Sequence, residues 1–129
     1  MNKNKTYIVE KKRHTNGQDS WFFTLPTGEC WYKMSAEGTS VFINDDMDEC
    51  IQMFRKPLPN NPYIEKPNEV RLTVFKWNED EYHQRNSAVA RLISINEVEK
   101  FYPNTCKFLN LGLESLRRYY PDIKVTDWD

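Results

Sequence analysis

WFFTLPTGECWYKMSAEGTSVFI, residues 21–43, is the densest run of aromatic and β-branched side chains in the chain. Three segments of strand character, Trp21 to Leu25, Cys30 to Met34 and Thr39 to Ile43, are parted by Pro26-Thr27-Gly28-Glu29 and Ser35-Ala36-Glu37-Gly38. Pro presets the φ of a turn's second position and Gly accepts positive φ, so each break has the chemistry to reverse the chain. The stretch reads as an antiparallel meander. Trp21, Phe23 and Leu25 fall on one face opposite Phe22 and Thr24, and Cys30, Tyr32 and Met34 oppose Trp31 and Lys33. Apolar groups on both faces call for cover on both, by helices on one side and by loops or a partner on the other.

Upstream, Thr6 to Lys12 alternates as a half-buried strand does, and the Asn16-Gly17 pair that follows is a hairpin signal. The meander thereby gains a fourth strand. Downstream, Asp46 and Glu49 have the spacing of a capping box, which predicts a helix to about Lys56 with Ile51 and Phe54, joined by Cys50 or Met47, as its buried stripe. The acidic run 44–49 fails as a calcium loop, because Glu49 stands where the tight-turn Gly belongs and Arg55 where the bidentate Glu belongs. Residues 57–67, PLPNNPYIEKP, form a proline-rich crossover.

Val70 to Trp77 and Ser87 to Ile95 return to strand alternation around a polar loop, 78–86, longer than a tight hairpin needs. Ser94 with Glu97, or Asn96 with Glu99, caps a short helix from Glu97 to Tyr102 that Pro103 ends. A third helix starts at Asn104 or Thr105 and stops before Pro121, with Leu109, Leu113, Leu116 and Tyr120 on its core face. Gly112 in its middle costs about 1 kcal/mol relative to Ala, which a close approach to another backbone would explain. Ile123 to Thr126 forms a last short strand. The expected fold is α+β: a mostly antiparallel sheet of six or seven strands, built from the N-terminal four-stranded meander and a later hairpin, with about three helices on one face. It is one domain, 1–129, with a frayed tail at 1–5.

Composition narrows the function. Eighteen basic against 19 acidic residues leave a formal charge of −1, so polyanion binding needs a local patch. Cys30, Cys50 and Cys106 are odd in number and lack any C-x-x-C pair, which fits reduced thiols and a cytoplasmic location. No run of 18 apolar residues suggests a membrane span.

His14 and His83 sit in no metal-ligand spacing, and the four glycines form no phosphate-cradling loop, so neither a metal nor a cofactor is expected. No catalytic residue is assigned. Two enzyme readings stand behind that: a loop centred on His83 with Tyr82 and Asp80, as in a small hydrolase or transferase, and Cys30 served by a histidine. Basic and aromatic residues interleave at Lys11, Lys12 and Arg13, and at Arg117, Arg118 and Tyr119, the pattern of phosphate and base contacts. The favoured expectation is a non-catalytic protein that binds another protein, an inhibitor, immunity-type or regulatory molecule. Its expected interface residues are Trp31, Trp77, Tyr82, His83 and Arg85, because Trp, Tyr and Arg dominate binding hot spots. Nucleic-acid binding is the alternative.

Overall fold

β1 (Thr6–Arg13) serves two neighbours. Its first half pairs with β7 (Arg85–Ile93) from Thr6↔Arg91 to Val9↔Ala88, and its second half pairs with β2 (Asp19–Thr24) from Glu10↔Phe22 to Arg13↔Asp19. β2 pairs with β3 (Cys30–Lys33), β3 with β5 (Glu49–Arg55), β5 with β6 (Glu69–Glu79) and β6 with β7, all antiparallel. The sheet thus returns to β1 and closes as a six-stranded barrel. Two short strands extend its wall, β4 (Ser40–Phe42) beside β5 and β8 (Lys124–Val125) parallel to the start of β6. This is a computed structural model, and it describes residues 5–15, 17–56, 68–79 and 85–128.

Strand alternation sorts the apolar side chains into two cores. Tyr7, Val9, Phe23, Trp31, Phe54, Phe75 and Leu92 fill the barrel, with Ala88 and Ala90 of β7 facing Trp77 and Phe75 across the ladder. Small residues opposite rings let the lumen close without overpacking. Phe23 and Phe54 meet edge-on at 4.9 Å, a geometry worth about 0.5–1.5 kcal/mol beyond the area buried. Trp128, past β8, enters one end of the barrel, 5.0 Å from Trp31, and its indole N–H donates to the Leu72 carbonyl at 2.7 Å.

The second core lies outside the wall. Ile51, Met53, Val70, Leu72, Val74 and Ile93 are covered by Val98 of α1 (Ile95–Phe101) and by Cys106, Leu109, Leu113 and Leu116 of α2 (Pro103–Arg117). α1 opens on the capping box expected of Ser94 and Glu97. Pro103 ends α1 and is also the first residue of α2, where its fixed φ and missing N–H suit a helix start.

Two expectations are corrected. The fold is a β-barrel with two short helices, not α+β with about three, because the segment expected to be a helix up to Lys56 is β5. Asp45 and Asp46 sit in the turn between β4 and β5, where Met47 adopts φ 60° and the Asn44 amide donates to Asp48 at 2.8 Å. Nor do β3 and β4 pair with each other as a meander requires. Both lie on the same side of β5: the Met34 N–H donates to Met53 O, and the Met53 N–H to Thr39 O, each at 3.0 Å. The Gln52 side chain, fully buried where β3 gives way to β4, donates to Met34 O and Met53 O at 2.9 Å and bonds Ser40. The proline-rich crossover 57–67 and Asn16 of the expected hairpin turn lie outside the described residues.

Candidate interaction site

Trp31, expected at an interface, is a core residue with none of its surface exposed. β3 turns it into the lumen, where its N–H donates to the Glu29 carboxylate at 2.6 Å and the Arg71 guanidinium lies 4.7 Å over its ring. Arg71 also covers Trp128 at 5.2 Å and donates to Glu69 and Thr126. These groups seal one end of the barrel and leave no ring edge for a partner.

Trp77 is half-buried at the other end, edge-on to Trp21 at 5.1 Å and to Phe75 at 4.9 Å. The Lys11 ammonium sits 5.5 Å over the Trp21 ring, and Lys33 points inward, 5.9 Å from the Phe75 ring. Burial holds the Lys33 ammonium below the ordinary lysine pKa, only partly offset by Cys50. Tyr82 and His83, with Asp80 of the acid/base reading, lie outside the described residues, while Arg85 begins β7 paired with Glu79. The Cys30 and His14 pairing is not formed. His14 bonds Ser20 at 2.9 Å near one end of β2, and Cys30 lies 3.5 Å from Thr24 at the other.

The two basic clusters do not share a surface. Lys11, Lys12 and Arg13 are exposed on β1, and Arg13 is bound by Asp19 at 2.9 and 3.3 Å, a hydrogen-bonded pair that draws the Asp19 carboxyl below its usual range. Arg117 and Arg118 end α2, and the Arg117 Nε donates to Ile123 O. The core under α2 takes residues from β5, β6 and β7 and, among the described residues, none from β1 or β2. α2 therefore covers a different wall from the one carrying Lys11 to Arg13.

The outer side of α2 carries what the sequence reading missed. Leu109, Leu113 and Leu116 face the barrel, and the opposite arc holds Asn104, Phe108, Leu111 and Ser115 at steps of four, three and four. Phe108 is 62% exposed and Leu111 59%, and Tyr119, four residues past Ser115, is 78% exposed. Phe101, at the end of α1, is exposed as well. The row runs into a groove of about 450 Å³ lined by Glu37, Ser115, Leu116, Arg118, Tyr119 and Tyr120. Apolar area, a tyrosine and an arginine beside a concavity are the usual makings of a protein-binding hot spot. Its signal was present in the sequence: once one heptad-like stripe is assigned to the core, a second apolar stripe on the same helix has nothing left to bury it.

Among the described residues no group of three His, Cys, Asp or Glu side chains is placed to hold an ion, and no helix is long and apolar enough to cross a membrane. Compared with protein-family models, curated proteins and solved structures, the chain matches none of them.

Proposed function

We infer that the protein acts by binding another protein through the outer face of α2, as a non-catalytic inhibitor, immunity-type or regulatory molecule. The observation that carries this is the exposed row Phe108, Leu111 and Tyr119 leading into a groove rimmed by Glu37 and Arg118. Isolated exposed apolar residues are ordinary, but a row on the outward side of a helix whose inward side is already satisfied has no folding role. Three cysteines that form no disulfide, two of them buried, support a reducing compartment such as the cytoplasm.

Affinity capture with the full chain from its native host, run beside Phe108→Ser/Leu111→Ser, tests the reading. A protein retained by the native chain and lost with the double variant at unchanged Tm supports it. Equal retention by both overturns it. Capture of a nucleic acid that is released steeply by salt favours the alternative, through Lys11, Lys12 and Arg13 or through Arg117, Arg118 and Tyr119.

A further inference from the structure

The exposed row on α2 reads alike from either end. Its middle members, Phe108 and Leu111, are large and apolar, and its outer members, Asn104 and Ser115, are polar. The midpoint of the row, between Leu109 and Asn110, is also the middle of the 15-residue helix. Turned end for end about that point, a second α2 sets Phe108 against Leu111 and Asn104 against Ser115, apolar on apolar and polar on polar. The two helices, each about 22 Å long at roughly 1.5 Å per residue, then lie side by side over their full length.

Charge follows the same symmetry. Lys107 and Glu114 are exposed on one flank of the row, two turns apart, about 10 Å along the axis and too distant to pair with each other. Among the described residues neither has an ion pair within its own chain. In a reversed copy their order is inverted, so Lys107 faces the partner's Glu114 and Glu114 faces the partner's Lys107. The ends match as well. The groove lined by Glu37, Arg118 and Tyr119 lies at the C-terminal end of α2, and the exposed Phe101, with the Lys100 ammonium 5.3 Å from its ring centroid, lies just ahead of the N-terminal end. Reversal brings the partner's Phe101 to the groove and the partner's Lys100 toward Glu37.

We propose that a second copy of this chain covers the outer face of α2, as a two-fold antiparallel helix pair that hides the face until a target displaces it. This rests on the reading of that face as a protein-binding surface and supplies its regulation, since target and second copy compete for Phe108 and Leu111. A foreign partner requires no symmetry of this face; a second copy does. One helix laid on one helix falls at the low end of interface sizes, below about 1,200 Å², which suits a reversible dimer rather than an obligate one.

Sedimentation of the full chain from micromolar to millimolar concentration should show a monomer–dimer equilibrium, and Phe108→Ser/Leu111→Ser should stay monomeric at unchanged Tm in dilute solution. Lys107→Glu sets acid against acid across the axis and Glu114→Lys sets base against base, so each should weaken the dimer Kd by about tenfold. Mixed in equal amounts, these two variants should form a heterodimer that recovers the native affinity, because each Glu again meets a Lys. Such rescue requires the reversed pairing. Three results would overturn the proposal: a chain that stays monomeric throughout, a dimer that survives Phe108→Ser/Leu111→Ser, or a mixture that associates no more tightly than its components. A monomeric chain that still captures a target through Phe108 and Leu111 removes only the dimer. A dimer sensitive to the charge reversals, with no target captured, removes only the target.

Discussion

Gly38 and Gly112 meet main chain against main chain: a Cβ on Gly38 would lie 2.9 Å from both the Cα and the carbonyl oxygen of Gly112. Mid-helix Gly→Ala ordinarily stabilises by about 1 kcal/mol. Here the sign reverses, since the neighbouring atoms are backbone and have nowhere to go. Gly112→Ala is expected to cost about 1–3 kcal/mol, the usual range for overpacking, and to lower Tm. A raised Tm would show that α2 shifts freely on the sheet.

Lys33→Met is expected to stabilise the fold at neutral pH by about 1 kcal/mol, because an ammonium turned into a barrel of rings is only partly compensated by a cation–π contact. The folded pKa lies below the ordinary 10.5, so between the two values the unfolded chain binds the proton and the native one does not. Stability of the native chain should therefore rise with pH across that window, and the advantage of the Met variant should shrink. A Met variant less stable than the native chain at neutral pH would mean that the amine has a partner.

Trp31 and Trp77 should separate in denaturant titrations. Trp31→Ala empties a fully buried site and is expected to cost about 3–5 kcal/mol. Trp77→Ala, at the half-open mouth, should cost distinctly less. Equal losses would place Trp77 as deep in the core as Trp31.

Glu69 ties the C-terminal segment to the barrel. It accepts from the Thr126 hydroxyl at 2.5 Å and from Arg71 at 3.0 Å, and these bonds, Thr126 first, hold its carboxyl below the ordinary 4.5. A depressed carboxyl pKa gives stability that is present above the unfolded value and lost as pH falls through the folded one. Glu69→Gln should flatten that part of the acid limb, modestly, since the side chain is about a third exposed. An acid limb identical in the two proteins would remove Glu69 from the account.

Much of the wall was legible because β1, β2, β6 and β7 alternate or sit between Gly and Pro breaks, and period two survives without tertiary knowledge. Gly112 was legible too, as a cost that only a close backbone contact explains. β5 was not. Its two faces are both buried, Cys50 and Phe54 in the lumen and Ile51 and Met53 under α2, so no alternation remains to distinguish a strand from a helix. Asp46 and Glu49 added the spacing of a capping box, and Gln52, buried mid-strand with its amide donating to Met34 O and Met53 O, breaks no face that would have marked a strand. Closure was hidden for another reason. Nothing local in Thr6–Val9 says that its neighbour lies in β7, and Trp31 read as an interface residue because its cover, Trp128, is distant in the sequence.

That distance has a consequence for biogenesis. A ribosome adds roughly 5–20 residues per second, N-terminus first, so β1 to β3 emerge seconds before β7 and Trp128 exist to receive them. Throughout that interval the nascent sheet carries Phe23, Trp31 and two naked edges into a crowded solution. Fragments cut before β7 lack the strand that closes the barrel on β1 and are expected to aggregate instead of folding.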